Sequence, residues 1–122
     1  MTRQLLLRER DTVLRAVLHE ALTDEGFEVV RCDSLAELEA AAAGKQVACV
    51  LTDAWYSPAL SLDQESGAAI ARLSALVPVV VMTSHTWGRN TTPEELSVAA
   101  LLLKPFDLAD LDAALKRALE RR

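Results

Sequence analysis

The chain has 122 residues and a mass of 13.3 kDa, enough for one domain with a core that needs no disulfide or metal staple. A composition of 51% hydrophobic and 25% charged residues excludes an intrinsically disordered chain, and the net charge of −5 argues against a nucleic-acid or anionic-membrane surface. Residues 32–75 carry two basic against six acidic side chains while both flanking segments lie near balance, so the excess is local and there is no basic stripe.

In chain order, Leu5–Leu7 is an apolar run that predicts a first strand. Val13, Val17, Leu18, Ala21 and Leu22 follow at helical spacing, and Gly26 closes that helix. Phe27–Cys32 is a second strand. Ser34 with Glu37 is a capping box opening a second helix, whose apolar face is Leu35 and Leu38 and whose end is Gly44. Val47–Leu51 is a third strand, and a third helix spans about 63–76 with Ile70, Leu73 and Leu76 inward. Pro78–Met82 is a fourth strand. Thr92 is an N-cap with Pro93 at the first helical position and Glu94 and Glu95 in the first turn. Ala99–Leu103 is a fifth strand. Asp107 opens a last helix striped by Leu108, Leu111, Leu115 and Leu119, with Arg117, Arg121 and Arg122 at the negative end of its dipole.

Five strands alternating with five helices make an α/β domain over residues 1–122, a parallel sheet with helices on both faces. The first and the last two runs are nearly all apolar, as strands buried on both faces require. Cys32 and Cys49 lack a CxxC or metal-ligand spacing and read as small hydrophobes in a reducing, cytoplasmic compartment. No apolar run reaches the roughly 18 residues of a membrane span, and Leu5–Leu7 is too short for a signal peptide.

In a sheet of this kind, ligand chemistry belongs at the carboxyl ends of the strands. There the sequence gathers Arg8-Glu9-Arg10-Asp11, Asp53, Thr83-Ser84-His85 and Lys104-Pro105-Phe106. A carboxylate, a hydroxyl, an ammonium and a second carboxylate at one edge suit phosphoryl transfer: the first is a nucleophile, and the donors spread the charge of the transferred oxygens.

Leu51-Thr52-Asp53, Val81-Met82-Thr83-Ser84 and above all Leu103-Lys104-Pro105-Phe106 resemble the motifs of response-regulator receiver domains of two-component signalling, and the likeness covers essentially the whole chain. The resemblance implies a flavodoxin-like (βα)5 fold with strand order 2-1-3-4-5. It implies Asp53 as phosphoacceptor from a histidine kinase or phosphotransfer protein, Thr83 as the hydroxyl that moves onto the phosphoryl group, and Lys104 as its cation. Pro105 would follow Lys104 through a cis peptide. Mg²⁺ would be held by Glu9, Asp53 and the backbone carbonyl of Trp55. An output protein, not named by the sequence, would read the phosphorylated face, with homodimer formation left open and neither nucleic acid nor membrane contacted directly.

Three features depart from the family. Arg8 stands where the first of two adjacent acids is expected; it removes an oxygen ligand and adds a fixed positive charge that weakens Mg²⁺ binding. It could pair with Asp53 or Glu9 or turn to solvent, and a register slip could recruit Asp11 instead. Leu101 occupies the switch position where an aromatic residue is common. The segment 54–66 is long, with Gly67 fourteen residues after Asp53. Trp55 and His85 would flank the phosphoryl entrance and modulate access. Two readings follow: a phosphorylation switch, or a pseudo-receiver acting as a phosphorylation-independent interaction module. An enzyme on a separate substrate is disfavoured, since Trp55 occupies the general-acid position of phosphoaspartate hydrolases and no GxGxxG, GxxxxGK[ST] or GxSxG motif occurs.

Overall fold

The computed structural model describes residues 3–44, 46–53, 64–83, 92–96 and 98–120. The elements are β1 (Gln4–Arg8), α1 (Thr12–Asp24), β2 (Glu28–Arg31), α2 (Leu35–Ala42), β3 (Val47–Asp53), α3 (Gln64–Leu76), β4 (Val79–Thr83), α4 (Pro93–Leu96), β5 (Ala100–Leu103) and α5 (Leu108–Glu120). All strand pairs are parallel, in the order β2-β1-β3-β4-β5. The parallel sheet expected from the alternation, and the flavodoxin-like strand order implied by the resemblance, are therefore the ones observed.

Strand alternation divides the core into two layers. Leu5, Leu7, Cys49, Leu51, Val80 and Met82 face α1 and α5, whose Leu18, Leu22, Leu111 and Leu115 complete one cluster. Leu6, Val50, Val79 and Val81 face the other way, onto Leu38 of α2 and Ile70 and Leu73 of α3. A fully buried aliphatic side chain contributes roughly 1.5–3 kcal/mol, so the central strands, buried along their length, anchor the fold. β5 is an edge strand, with β2 at the other edge, and its alternation leaves Leu103 40% exposed.

The capping signals act as the sequence suggests, whereas Leu76, expected inward on α3, is 55% exposed, and Val13, Val17 and Leu108, expected on the apolar stripes of α1 and α5, are exposed too because these helices bury only a narrow face. Gly26 takes a φ of 99°, the left-handed geometry that ends α1 without a Cβ clash. Ser34 Oγ accepts from the Glu37 N–H at 3.1 Å, while the Glu37 carboxylate reaches back to the Asp33 N–H, one residue before the cap. β3 runs through Asp53, and β1 and β4 run through Arg8 and Thr83, so these three residues are the last of their strands rather than loop residues. Chain stiffness at the site is thus that of the sheet. α4 is a single turn from Pro93 to Leu96, shorter than its capping signals suggested.

Candidate functional site

Parallel strands ending together bring Arg8, Glu9, Asp53, Thr83 and Lys104 to one edge of the sheet. Arg8 lies opposite Thr52 in register, Asp53 opposite Met82, and Thr83 opposite Leu103, whose neighbour Lys104 donates its backbone N–H to the Thr83 carbonyl at 2.8 Å. Arg8, Glu9, Asp53, Thr83 and Thr52 are all buried, the five buried polar or charged residues among those described. Buried polar groups so concentrated at strand ends mark a site rather than a core, because each must be paired to offset its desolvation.

The pairing differs from expectation. Arg8 does not turn to solvent: it is 2% exposed, and its Nη1 lies 3.3 Å from Asp53 Oδ1 while donating to the Asp53 carbonyl at 3.4 Å. Burial pushes the Arg8 guanidinium below its ordinary value, and Asp53 opposes that shift by favouring the charged form. Asp53 Oδ2 accepts from the Arg10 backbone N–H at 3.2 Å and from Arg10 Nε at 3.4 Å. The Thr52 hydroxyl donates to the Asp53 carbonyl at 2.9 Å. Lys104 is not on Asp53. Its Nζ donates to both Glu9 oxygens at 2.8 Å, reaching across the ends of β3 and β4 from β5 to β1. Two carboxylates and two kinds of cation have sorted so that the point-charge ammonium takes Glu9 and the planar guanidiniums take Asp53.

Asp11 is not recruited to the edge by a register slip. Its side chain caps α1, accepting from the Val13 and Leu14 N–H groups at 3.0 and 3.1 Å. Its backbone N–H donates to Glu9 Oε1 at 3.1 Å, and Arg15 Nη1 donates to the Glu9 carbonyl at 3.1 Å. Arg10 and Arg15 had no expected role, and no N-cap was expected for α1. The cap was readable from Asp11 before the apolar period of the helix, whereas the arginines carried no local signal.

Leu101 is half-buried against the α2–α3 cluster, an aliphatic packing residue of β5. Pro105 is exposed and follows Lys104 through a cis peptide, as the Lys-Pro order suggested. Both cysteines are free and buried, and burial, followed by Glu37 and Asp33, pushes the Cys32 thiol up. Trp55, His85 and Trp87, and residues 54–63 of the long loop, lie outside the described residues.

Among the described residues the two acids expected to hold a divalent cation, Glu9 and Asp53, are engaged by cations, and the third expected ligand, the Trp55 carbonyl, lies outside the described residues. Mg²⁺ takes oxygen ligands in near-octahedral geometry and dehydrates reluctantly. Here both Glu9 oxygens are bound by Lys104, Asp53 faces two guanidiniums, and no cluster of three or more His, Cys, Asp or Glu able to hold a metal occurs among the described residues. Arg8, Arg10, Arg15 and Lys104 surround Glu9 and Asp53, so the edge already carries an excess of positive charge.

No protein-family model matches the chain. It is 30% identical over 116 residues, 94% of its length, to the DNA-binding transcriptional regulator NtrC of Bradyrhizobium sp. (strain RP501 Parasponia), and spans about a quarter (24%) of the length of that curated relative. Among solved structures it is similar to a response regulator receiver domain protein from Clostridium thermocellum (TM-score 0.76, 21% identity, 98% of this chain and 95% of that one). It is also similar to a CheY-like receiver domain protein from Methanospirillum hungatei JF-1 (TM-score 0.77, 17% identity, 99% and 96%). A third likeness is to the receiver domain of a sensor histidine kinase from Pseudomonas aeruginosa PAO1, described with a magnesium ion coordinated in its active site cleft (TM-score 0.74, 21% identity, 98% and 99%).

Proposed function

We propose that this chain, which has the fold of response-regulator receiver domains, is a signalling module read by docking proteins, with its Asp53 site held by arginine rather than by a divalent cation. The observation that carries this reading is the buried Arg8 guanidinium 3.3 Å from Asp53 Oδ1. A fixed guanidinium supplies part of the charge that Mg²⁺ would bring, but it is not exchangeable and leaves no coordination position for a phosphoryl oxygen. Lys104, which would meet a phosphoryl group on Asp53, is committed to Glu9. The module then presents a constant face to its partner, the pseudo-receiver behaviour.

A second reading is favoured by one specific observation. Asp53 and Thr83 end neighbouring strands, and among the described residues the Asp53 carboxylate is held through contacts of 3.2–3.4 Å. In that reading a histidine kinase or phosphotransfer protein gives up its phosphoryl group: the P–N bond of phosphohistidine breaks, an Asp53 Oδ–P bond forms, and the imidazole leaves with a proton. Arg8 and Arg10 would stabilise the transferred oxygens.

Incubation with acetyl phosphate, with and without Mg²⁺, separates the two by mass spectrometry of the intact protein and its peptides. The docking reading expects no phosphoryl adduct on the wild type under either condition, and adduct formation with Mg²⁺ in Arg8→Asp. An adduct on wild-type Asp53 under either condition, absent in Asp53→Asn, overturns it and establishes the switch.

A further inference from the structure

Beside the Asp53 site, on the β2 side of β1, lies a pocket of about 360 Å³ between the strand ends and the start of α1. Its wall includes four arginines, Arg8, Arg10, Arg15 and Arg31, against two carboxylates, Glu9 and Asp33. In a chain of net charge −5 this is a local reversal of sign. The pocket sits at the carboxyl ends of β1 and β2, on the other side of β1 from the β1/β3 crevice where sheets of this order reverse direction, so it is a site apart from the usual one.

The arginines are placed rather than scattered. Arg8 is anchored on Asp53 at the floor, and Arg10 on the same carboxylate. Arg15 is fixed by one bond to the Glu9 carbonyl at 3.1 Å, from a group with several N–H donors. Arg31 lies at the rim, where its Nε holds Asp33 Oδ1 at 2.7 Å and both side chains are solvent-exposed. Guanidinium forks match the paired oxygens of phosphate.

We infer that this pocket is a non-covalent binding site for a phosphate-type dianion, free or at the end of a small phosphomonoester. The inference does not rest on the reading of Asp53: ligand oxygens meet Arg15 and Arg31, and no bond to the protein forms. Asp33 competes with the ligand for Arg31, which makes it a negative determinant of affinity.

Titration calorimetry of the full chain at low ionic strength, with inorganic phosphate and glycerol 3-phosphate as probes, tests it. Saturable binding is expected for the wild type, with the intact mass unchanged once the ligand is dialysed away, which separates this site from phosphoryl acceptance. Arg31→Gln and Arg15→Gln should each weaken binding by about tenfold, and Asp33→Asn should tighten it, a gain that a merely structural role would not give. Lys116→Gln, which removes an exposed positive charge from α5, should leave affinity unchanged. Tighter binding of glycerol 3-phosphate than of phosphate assigns a monoester, and equal binding assigns the free anion. Absence of saturable binding in folded wild type, or equal weakening in Lys116→Gln and Arg31→Gln, overturns the proposal. Arg31 is an exposed rim residue, so its variant should fold, and circular dichroism verifies that it has.

Discussion

Glu9 and Asp53 are carboxylates of nearly equal burial, 4% and 5% exposed, a strand apart on one sheet edge, and they are held very differently. Glu9 receives a short bidentate contact from Lys104 at 2.8 Å to each oxygen, plus the Asp11 N–H. Among the described residues Asp53 meets guanidiniums and one backbone N–H, all at 3.2–3.4 Å, at or beyond the long end of good hydrogen-bond geometry. Burial alone therefore does not say which acid is structural. The Glu9–Lys104 pair straps β1 to the residue after β5 across two intervening strands, while Asp53 is neutralised without being tightly fixed.

The largest effect should come from cutting the strap. Glu9→Gln leaves the Lys104 ammonium without its counter-charge and should cost about 2–3 kcal/mol in urea unfolding, below the full penalty of a buried pair because Lys104 is 21% exposed. Arg8→Met should cost about 1–2 kcal/mol, since Arg10 remains on Asp53 and the methionine refills part of the volume. If the two losses are equal, the distinction between a tight and a loose carboxylate fails. Arg10→Gln, at a guanidinium 60% exposed, should change stability by less than about 0.5 kcal/mol; a loss matching that of Arg8→Met would make Arg10 the principal partner.

The smallest effect lies far from the edge, where α1 meets α5. The hydrogen bond to Asp112, with burial and the Asp112 charge adding to it, raises the Glu25 carboxyl above its ordinary range. A raised carboxyl binds its proton more tightly in the folded state, so this group's contribution falls as pH rises from about 4 through the raised value and is fully unfavourable at neutrality. Glu25→Gln should flatten that part of the stability–pH curve and raise the urea midpoint slightly at pH 7. An unchanged curve would remove Glu25 from the account.

The architecture was legible because its signals are local. Apolar runs bounded by Ser34, Gly26 and Pro93 mark elements without reference to anything distant. The identities of the edge residues were also legible, since Asp53, Thr83 and Lys104 each follow an apolar run. Their pairing was not. Which cation reaches which acid depends on where β1, β3 and β5 end relative to one another, and Lys104, expected as the cation of a phosphoryl group on Asp53, lies on Glu9. Arg8 shows the same limit: a terminal strand residue can turn out or in, and only the carboxylate and carbonyl of Asp53 on the neighbouring strand favour the inward choice.

The Arg10 backbone N–H that donates to Asp53 Oδ2 at 3.2 Å gives the molecule an internal reporter. An amide proton bonded to a carboxylate resonates according to the charge on that oxygen. In a ¹⁵N-correlated NMR spectrum, the Arg10 cross-peak should therefore move whenever Asp53 is protonated, esterified or stripped of its arginines. A single assigned resonance, requiring no label on the side chain and no aromatic neighbour, would follow the state of the acid residue by residue along a titration and separate a change at Asp53 from one at Glu9, whose oxygen is reported by the Asp11 amide instead.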